Sequence, residues 1–222
     1  MRQHYHEELE AISADLVEMT RLVETAMSRA TRALLNADLE IAESVISADD
    51  GIDAIAQRVE DKCVEVVALQ APVASELRFL IGALRMSGTL ERMGDLAAHI
   101  AKQARLRHPS MSIPAELRST FSMMGAIATS VVQKTGGVIA SRDLSLAADV
   151  AAADAEMDKL HRELFTVVLA DSWSHGVEAA IDVTLLSRYY ERFADHAVTI
   201  ARRIAYIVTG DLPTRTELSE GM

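Results

Sequence analysis

The chain has 222 residues, a formal charge of −11 and 50% hydrophobic residues, yet only 4% aromatic side chains, four prolines and ten glycines. That length buries a sizeable core in one domain or two, and the composition excludes an aromatic-rich, turn-rich all-β fold. The negative charge opposes binding to nucleic acid or anionic lipid and favours cations and the basic surfaces of other proteins.

Helical periodicity runs through the chain, with no alternating strand pattern. The first helix is predicted from Tyr5 to Leu35, with Leu9, Ile12, Leu16, Met19, Val23, Ala26 and Ala30 as its apolar stripe. The opening segment MRQHYHEELE lacks an apolar signal-peptide core. A second helix runs from Leu39 to Leu69 and stops at Gln70-Ala71-Pro72, because proline disfavours helix in the residue before it. Lone Cys63 lies in its apolar row, excludes an internal disulfide and agrees with a reducing compartment. The third helix spans Val73 to Leu106. In it Gly82, Gly88 and Gly94 recur every six residues and suggest close helix packing, since each costs about 1 kcal/mol relative to alanine.

The segment HPSMSIP, with two prolines, marks a boundary. Past it come helices from Ala115 to Ser141, Leu144 to Ala170 and Val177 to Thr209, with a turn at Asp171–Gly176 that carries Trp173 as a hydrophobic anchor. The expected organisation is all-α: a three-helix bundle over residues 1–108, a linker at 109–114, a second bundle over 115–210 and a disordered tail at 211–222. No apolar run reaches membrane-spanning length, so a cytoplasmic protein without direct membrane insertion is expected.

The halves are copies of one another. DLEIAESVISADDGID from Asp38 and DLSLAADVAAADAEMD from Asp143 agree at seven of sixteen positions, at an offset of 105. ERMGDLAAHIAK from Glu91 and ERFADHAVTIAR from Glu191 agree at six of twelve, at an offset of 100. The five-residue difference lies in the hairpin between the blocks, and a shorter second turn is expected.

Each half therefore holds two acidic pairs spaced i, i+4, on one face of a helix: Asp49/Asp53 with Glu91/Asp95, and Asp154/Asp158 with Glu191/Asp195. Asp53 and Glu91, like Asp49 and Asp95, are equidistant from Pro72, and the second set is likewise symmetric about Ser174 and His175. In an antiparallel hairpin such residues lie side by side, so four carboxylates converge in each bundle. Asp49 is in heptad line with Ala56 and Cys63, and Glu91 with Leu77, Leu84 and Ala98, which puts both at the border of the apolar seam. Carboxylates gathered there need compensation: metal, arginine partners such as Arg92 and Arg192, or protons. Hard oxygen clusters suit Mg²⁺, Ca²⁺ or Mn²⁺, and carboxylate sites between helices also hold iron. His99, His161 and His196 stand near enough in sequence to supplement such a site. Gly51, inside the Asp49/Asp53 pair, is expected to loosen its helix.

Catalytic signatures are missing: there is no H-E-x-x-H, Walker loop, G-x-S-x-G or dinucleotide fingerprint. A di-iron carboxylate enzyme would want two Glu-x-x-His motifs, of which Asp158-x-x-His161 is a partial echo. No enzyme is expected. A metal-binding adaptor, a helical scaffold with purely structural carboxylates and, last, a di-metal carboxylate oxidoreductase are the competing readings.

From Leu9 to Thr209 the chain resembles the PhoU family of phosphate-signalling regulators, on PVASELRFLIGAL, LERMGDLAAHIAK and YYERFADHAVTIA and on the duplicated D/E-x-x-x-D pairs. The resemblance implies two three-helix bundles and a negative regulator of phosphate uptake and of the phosphate-starvation response. It further implies an adaptor that links the ATPase of a phosphate ABC transporter to a sensor histidine kinase of a two-component system. A homodimer is expected. In that family the matching carboxylates, here Asp49, Asp53, Glu91, Asp95, Asp154, Asp158, Glu191 and Asp195, are associated with polynuclear clusters of divalent or ferric metal ions such as iron, zinc, manganese or magnesium.

Overall fold

The computed structural model describes residues 2–219. Six long helices carry the fold: α1 (Arg2–Asn36), α2 (Leu39–Gln70), α3 (Ala74–Arg107), α4 (Arg118–Ser141), α5 (Ser145–Val168) and α6 (Gly176–Thr209). A 3₁₀ turn at Ala115–Leu117 precedes α4, and a short α7 (Arg215–Ser219) follows α6. Helix ends follow local chemistry. The Asp38 carboxylate caps α2 by accepting from the Ile41 N–H at 3.0 Å. Gly210 closes α6 at φ +92, where a residue without Cβ carries no steric penalty, and donates its N–H to Tyr206 O.

Helices α1, α3, α4 and α6 form a central four-helix layer; α2 lies over α1 and α3, and α5 over α4 and α6. The two bundles thus share one continuous core, from Ile12, Leu16 and Met19 on α1 through Phe121 on α4 to Tyr190 and Phe193 on α6. Helices α1 and α4 run antiparallel and approach closely where α4 carries glycine. A Cβ built on Gly125 would meet Thr31 Cγ2 at 2.4 Å, and one on Gly136 would meet Thr20 Oγ1 at 2.7 Å. Thr31 also hydrogen-bonds the fully buried Tyr190 hydroxyl at 2.8 Å, which ties α6 to the same contact.

Helices α3 and α6 are antiparallel too: Gly82 faces Ile207 near one end, and at the other Arg107 holds buried Asp182 through two hydrogen bonds of 2.7 and 3.0 Å. Around this layer the stripe expected on α1 is buried or half-buried, and Cys63 is fully enclosed, which pushes its thiol up to about 11.

Three expectations need correction. Helix α2 runs unbroken through Gly51, which is exposed with nothing within 4 Å of its would-be Cβ, so one solvent-facing glycine costs too little to interrupt 32 residues. The second hairpin connection is longer, not shorter: residues 169–175 separate α5 from α6 where 71–73 separate α2 from α3. The missing five residues come out of the helices, and Trp173 braces the longer connection by donating its indole N–H to Gly176 O at 2.9 Å. Finally, the described part of the tail is ordered. Leu218 on α7 is buried, and α7 packs on α5; residues 220–222 of that expectation lie outside the described residues.

Candidate functional site

The outer hairpin α2/α3 brings Asp49, Asp53, Glu91 and Asp95 to one level, as their symmetry about Pro72 predicts. Burial, followed by repulsion from Asp95 and Asp53, pushes the Asp49 carboxyl up to about 6. Burial, then Asp95, raises Asp53; burial, then Asp53 and Asp95, raises Glu91. Each of these three feels the carboxylates of the facing helix, which is the signature of a convergent cluster.

Its floor is shaped by Gly94. A Cβ there would lie 3.0 Å from Asp49 Oδ1 and 2.8 Å from Ile52 Cδ1, so glycine lets the Asp49 and Ile52 side chains lie close against α3. Beside the cluster opens a cleft of about 390 Å³ lined by Asp53, Gln57, Glu60, Ser87, Gly88 and Glu91. Glu60 also raises Glu91 and is a fifth acid that the repeat comparison could not reveal, because residue 165 in the second copy is Phe.

The second copy is built differently. Asp154 is fully buried and Glu191 only 8% exposed. Burial, then Asp195, raises Glu191, with Asp158 adding to the repulsion. Opposing them, Arg188 forms an ion pair with Glu191. At the position equivalent to Arg188 the first copy has Gly88, and at the position of Gly94 the second has Ala194. The neutralising arginine is therefore neither Arg92 nor Arg192, the neighbours in sequence, but a residue one helical turn before the glutamate. The second cluster has an ion-paired arginine; in the first, Lys102 opposes the shift of Asp49 and Arg92 that of Glu91, with no ion pair to either among the described residues.

Of the three histidines, His161 stands beside the second cluster: its Nδ1 hydrogen-bonds Ser187 Oγ at 3.0 Å, and burial lowers its pKa while Asp158 opposes the shift. His99 stacks on Tyr189 with centroids 5.3 Å apart. His196 is held below the usual histidine value by burial and then by Arg192 and Arg92. Among the described residues, no three Asp, Glu, His or Cys side chains are disposed to hold one metal ion. Like charges push Asp53 and Asp95 out to solvent while Asp49 stays half-buried. The all-oxygen donor set and the Gly94 cradle fit a hard cation that would draw them together.

A pH dependence follows for metal-free protein. Between the ordinary aspartate value of 3.8 and about 6, folded Asp49 keeps a proton that the unfolded chain has lost, so its contribution stabilises the fold as pH falls through that window. Thermal melts in chelator from pH 7.5 to 5 should show a higher Tm for Asp49→Asn than for the parent at pH 7.5, with the gap closing toward pH 5. A constant gap would refute the assignment.

The PhoU domain family model matches residues 16–104 and again 121–204, one match to each half. Among curated proteins the chain is 48% identical over 213 residues to the phosphate-specific transport system accessory protein PhoU homolog 2 of Mycobacterium tuberculosis, covering 96% of this chain and 100% of that one. It is 30% identical to the PhoU homolog of Rhizobium meliloti, over 94% and 89% of the two chains. Crystal structures of PhoU from Pseudomonas aeruginosa and of the phosphate transport system regulatory protein PhoU from Streptococcus pneumoniae superpose with TM-scores of 0.82 and 0.83. They are 29% and 28% identical, cover 93% and 95% of this chain, and are themselves covered over 100% and 99%.

Proposed function

This chain belongs to the PhoU family, and on that premise we propose that it is a cytoplasmic, metal-binding adaptor that restrains the phosphate-starvation response when phosphate is plentiful. A regulatory role accessory to phosphate transport is what the relatives' names describe, and the family is one of accessory proteins, not enzymes. Among the described residues no helix is long and apolar enough to cross a membrane.

The observation that carries the finer reading is the α2/α3 acidic cluster. Its four carboxylates converge where α2 lies over α3 of the shared layer, and Asp53 and Asp95 are exposed there to a cation and a partner. A bound cation neutralises that surface, which otherwise repels acidic surfaces and attracts basic ones. Asp49, Asp53, Glu91 and Asp95 would hold it, with Glu60 at the edge. The partners in this reading are the ATPase of a phosphate ABC transporter and a sensor histidine kinase, engaged by a homodimer of this chain.

Deleting the gene in its own host should switch on phosphate-starvation transcription in phosphate-replete medium. Restoring the chain should silence it, while an Asp49→Asn/Glu91→Gln variant expressed at the same level should silence it only in part. A deletion strain whose response still follows external phosphate would overturn the regulatory role. Full silencing by the variant would remove the cation from the reading and leave the scaffold.

A further inference from the structure

The sequence is strongly acidic, yet one groove on the shared layer is basic. It lies between α3 and α6, has a volume of about 370 Å³, and is lined by Arg85, Gly88, Thr89 and Arg92 from α3 and by Thr199 and Arg203 from α6. Elsewhere several arginines, exposed or half-buried, have acidic partners: Arg107 has Asp182 and Glu178, Arg58 has Asp15, and Arg188 has Glu191. Among the described residues Arg85, Arg92 and Arg203 have no carboxylate within ion-pair distance, although Arg203 is half-buried. Burial and then Arg85 lower the Arg203 pKa, so these two guanidinium charges bear on one another, and Arg92 lines the same groove. Like charges left facing each other in a concave site are a standing cost that a bound anion removes.

The duplication supplies an internal comparison. Shifting α3 onto α6 by 100 residues carries Arg85 to Leu185 and Thr89 to Tyr189, while Thr199 and Arg203 correspond to His99 and Gln103. In that second location the His99 and Tyr189 rings stack on each other at 5.3 Å. One of two equivalent places is therefore filled with rings and lacks two of the three arginines. The other has two threonines instead of the rings, and three arginines. The threonine hydroxyls donate to Arg85 O and Asp195 O within their own helices, which leaves recognition to the guanidinium forks.

We propose that the groove of Arg85, Arg92 and Arg203 is a binding site for a phosphate-class oxyanion, either inorganic phosphate or the phosphoryl groups of a larger metabolite. A phosphate dianion offers more acceptor oxygens and more charge than a single carboxylate, and guanidinium groups match its geometry in bidentate fashion. The groove is too small for a partner helix, whose diameter with side chains is about 10 Å, and it is roomy for a phosphoryl group. Leu84 and Gly88 line both this groove and the acidic cleft on the far side of α3, and Glu91 and Arg92 are adjacent in sequence. Anion and cation sites thus share one helix. The anion site rests on its arginines alone and does not depend on the regulatory reading.

The test is calorimetric titration of the full chain with inorganic phosphate, pyrophosphate and ATP, in the presence of chelator so that metal cannot bridge anion and carboxylates. Saturable binding is expected, weakened by at least about tenfold in Arg85→Gln and in Arg203→Gln, since each removes charge-assisted hydrogen bonds. Arg105→Gln, which takes the same charge from an exposed position near the end of α3, should leave the affinity unchanged. Without anion Arg85→Gln, which relieves repulsion at an exposed position, should melt no lower than the parent, and this separates loss of binding from loss of fold. The tighter-binding probe of the three identifies the source of the phosphoryl group. Absence of saturable binding to all three, or binding that both groove variants leave intact, overturns the assignment.

Discussion

Replacing Asp49, Asp53, Glu91 and Asp95 together by Asn and Gln should lower metal affinity at the α2/α3 hairpin by more than about a hundredfold, because affinity at oxygen sites follows the count of charged ligands. The same variant should melt higher than metal-free parent at pH 7.5, since burial and mutual repulsion already oppose ionisation of Asp49, Asp53 and Glu91. The two effects have opposite signs on stability: the carboxylates destabilise the metal-free chain and stabilise the loaded one. Metal should raise the parent Tm by mass action and leave the variant where it was. Elemental analysis after incubation with iron, manganese, zinc or magnesium, followed by melts with and without chelator, reads both. A parent that takes up no metal, or a variant that takes up as much as the parent, would leave the acids with a docking or folding role.

The second hairpin sharpens that expectation. Arg188 already neutralises Glu191, so the second cluster should bind cations more weakly than the first. Removing the arginine, as in Arg188→Gln, should raise its affinity toward that of the first. On this expectation the repeat would hold two solutions to one electrostatic problem, an internal arginine in one copy and an exchangeable cation in the other.

The repeated acid pairs were legible because i, i+4 spacing and hairpin symmetry are properties of sequence alone. The end of α2 was legible at Pro72 because proline acts on the backbone of the residue before it. What was not legible depends on which helices meet across the halves. Glu60 enters the first site only through the face α2 turns to α3. Arg188 was overlooked in favour of Arg92 and Arg192 because adjacency in sequence is not adjacency on a helix, where residues three and four apart are neighbours. The basic groove needs α3 set antiparallel to α6, a pairing between halves that no local pattern encodes. The five-residue offset was read as a shorter turn because an alignment locates a length difference without saying whether helix or loop absorbs it.

Gly125→Ala should destabilise the protein by up to about 2 kcal/mol, the net of an overpacking cost of about 1–3 kcal/mol and a helix-propensity gain of about 1 kcal/mol. The new Cβ would stand 2.4 Å from Thr31 Cγ2, 2.7 Å from its Oγ1 and 3.0 Å from its Cβ. Since carbon atoms prefer about 3.5–4.0 Å, α1 and α4 would have to part by roughly 1 Å. Rotating Thr31 away does not solve this, because its own Cβ is too near and its hydroxyl is committed to buried Tyr190. Parting α1 from α4 also strains that bond to α6, so the cost is borne by the layer both bundles share. A double-mutant cycle isolates the cause. In a Thr31→Ala background the two contacts under 3 Å are gone and only the Cβ at 3.0 Å remains, so Gly125→Ala should cost clearly less than in the parent, offset by a helix-propensity gain of up to about 1 kcal/mol. Gly51→Ala, on an exposed helix face with nothing within 4 Å, should stabilise the parent by a similar amount. Denaturant melts of the four cycle members and the control decide it. If Gly125→Ala has the same effect with and without Thr31, close approach at this glycine is not what holds the halves together.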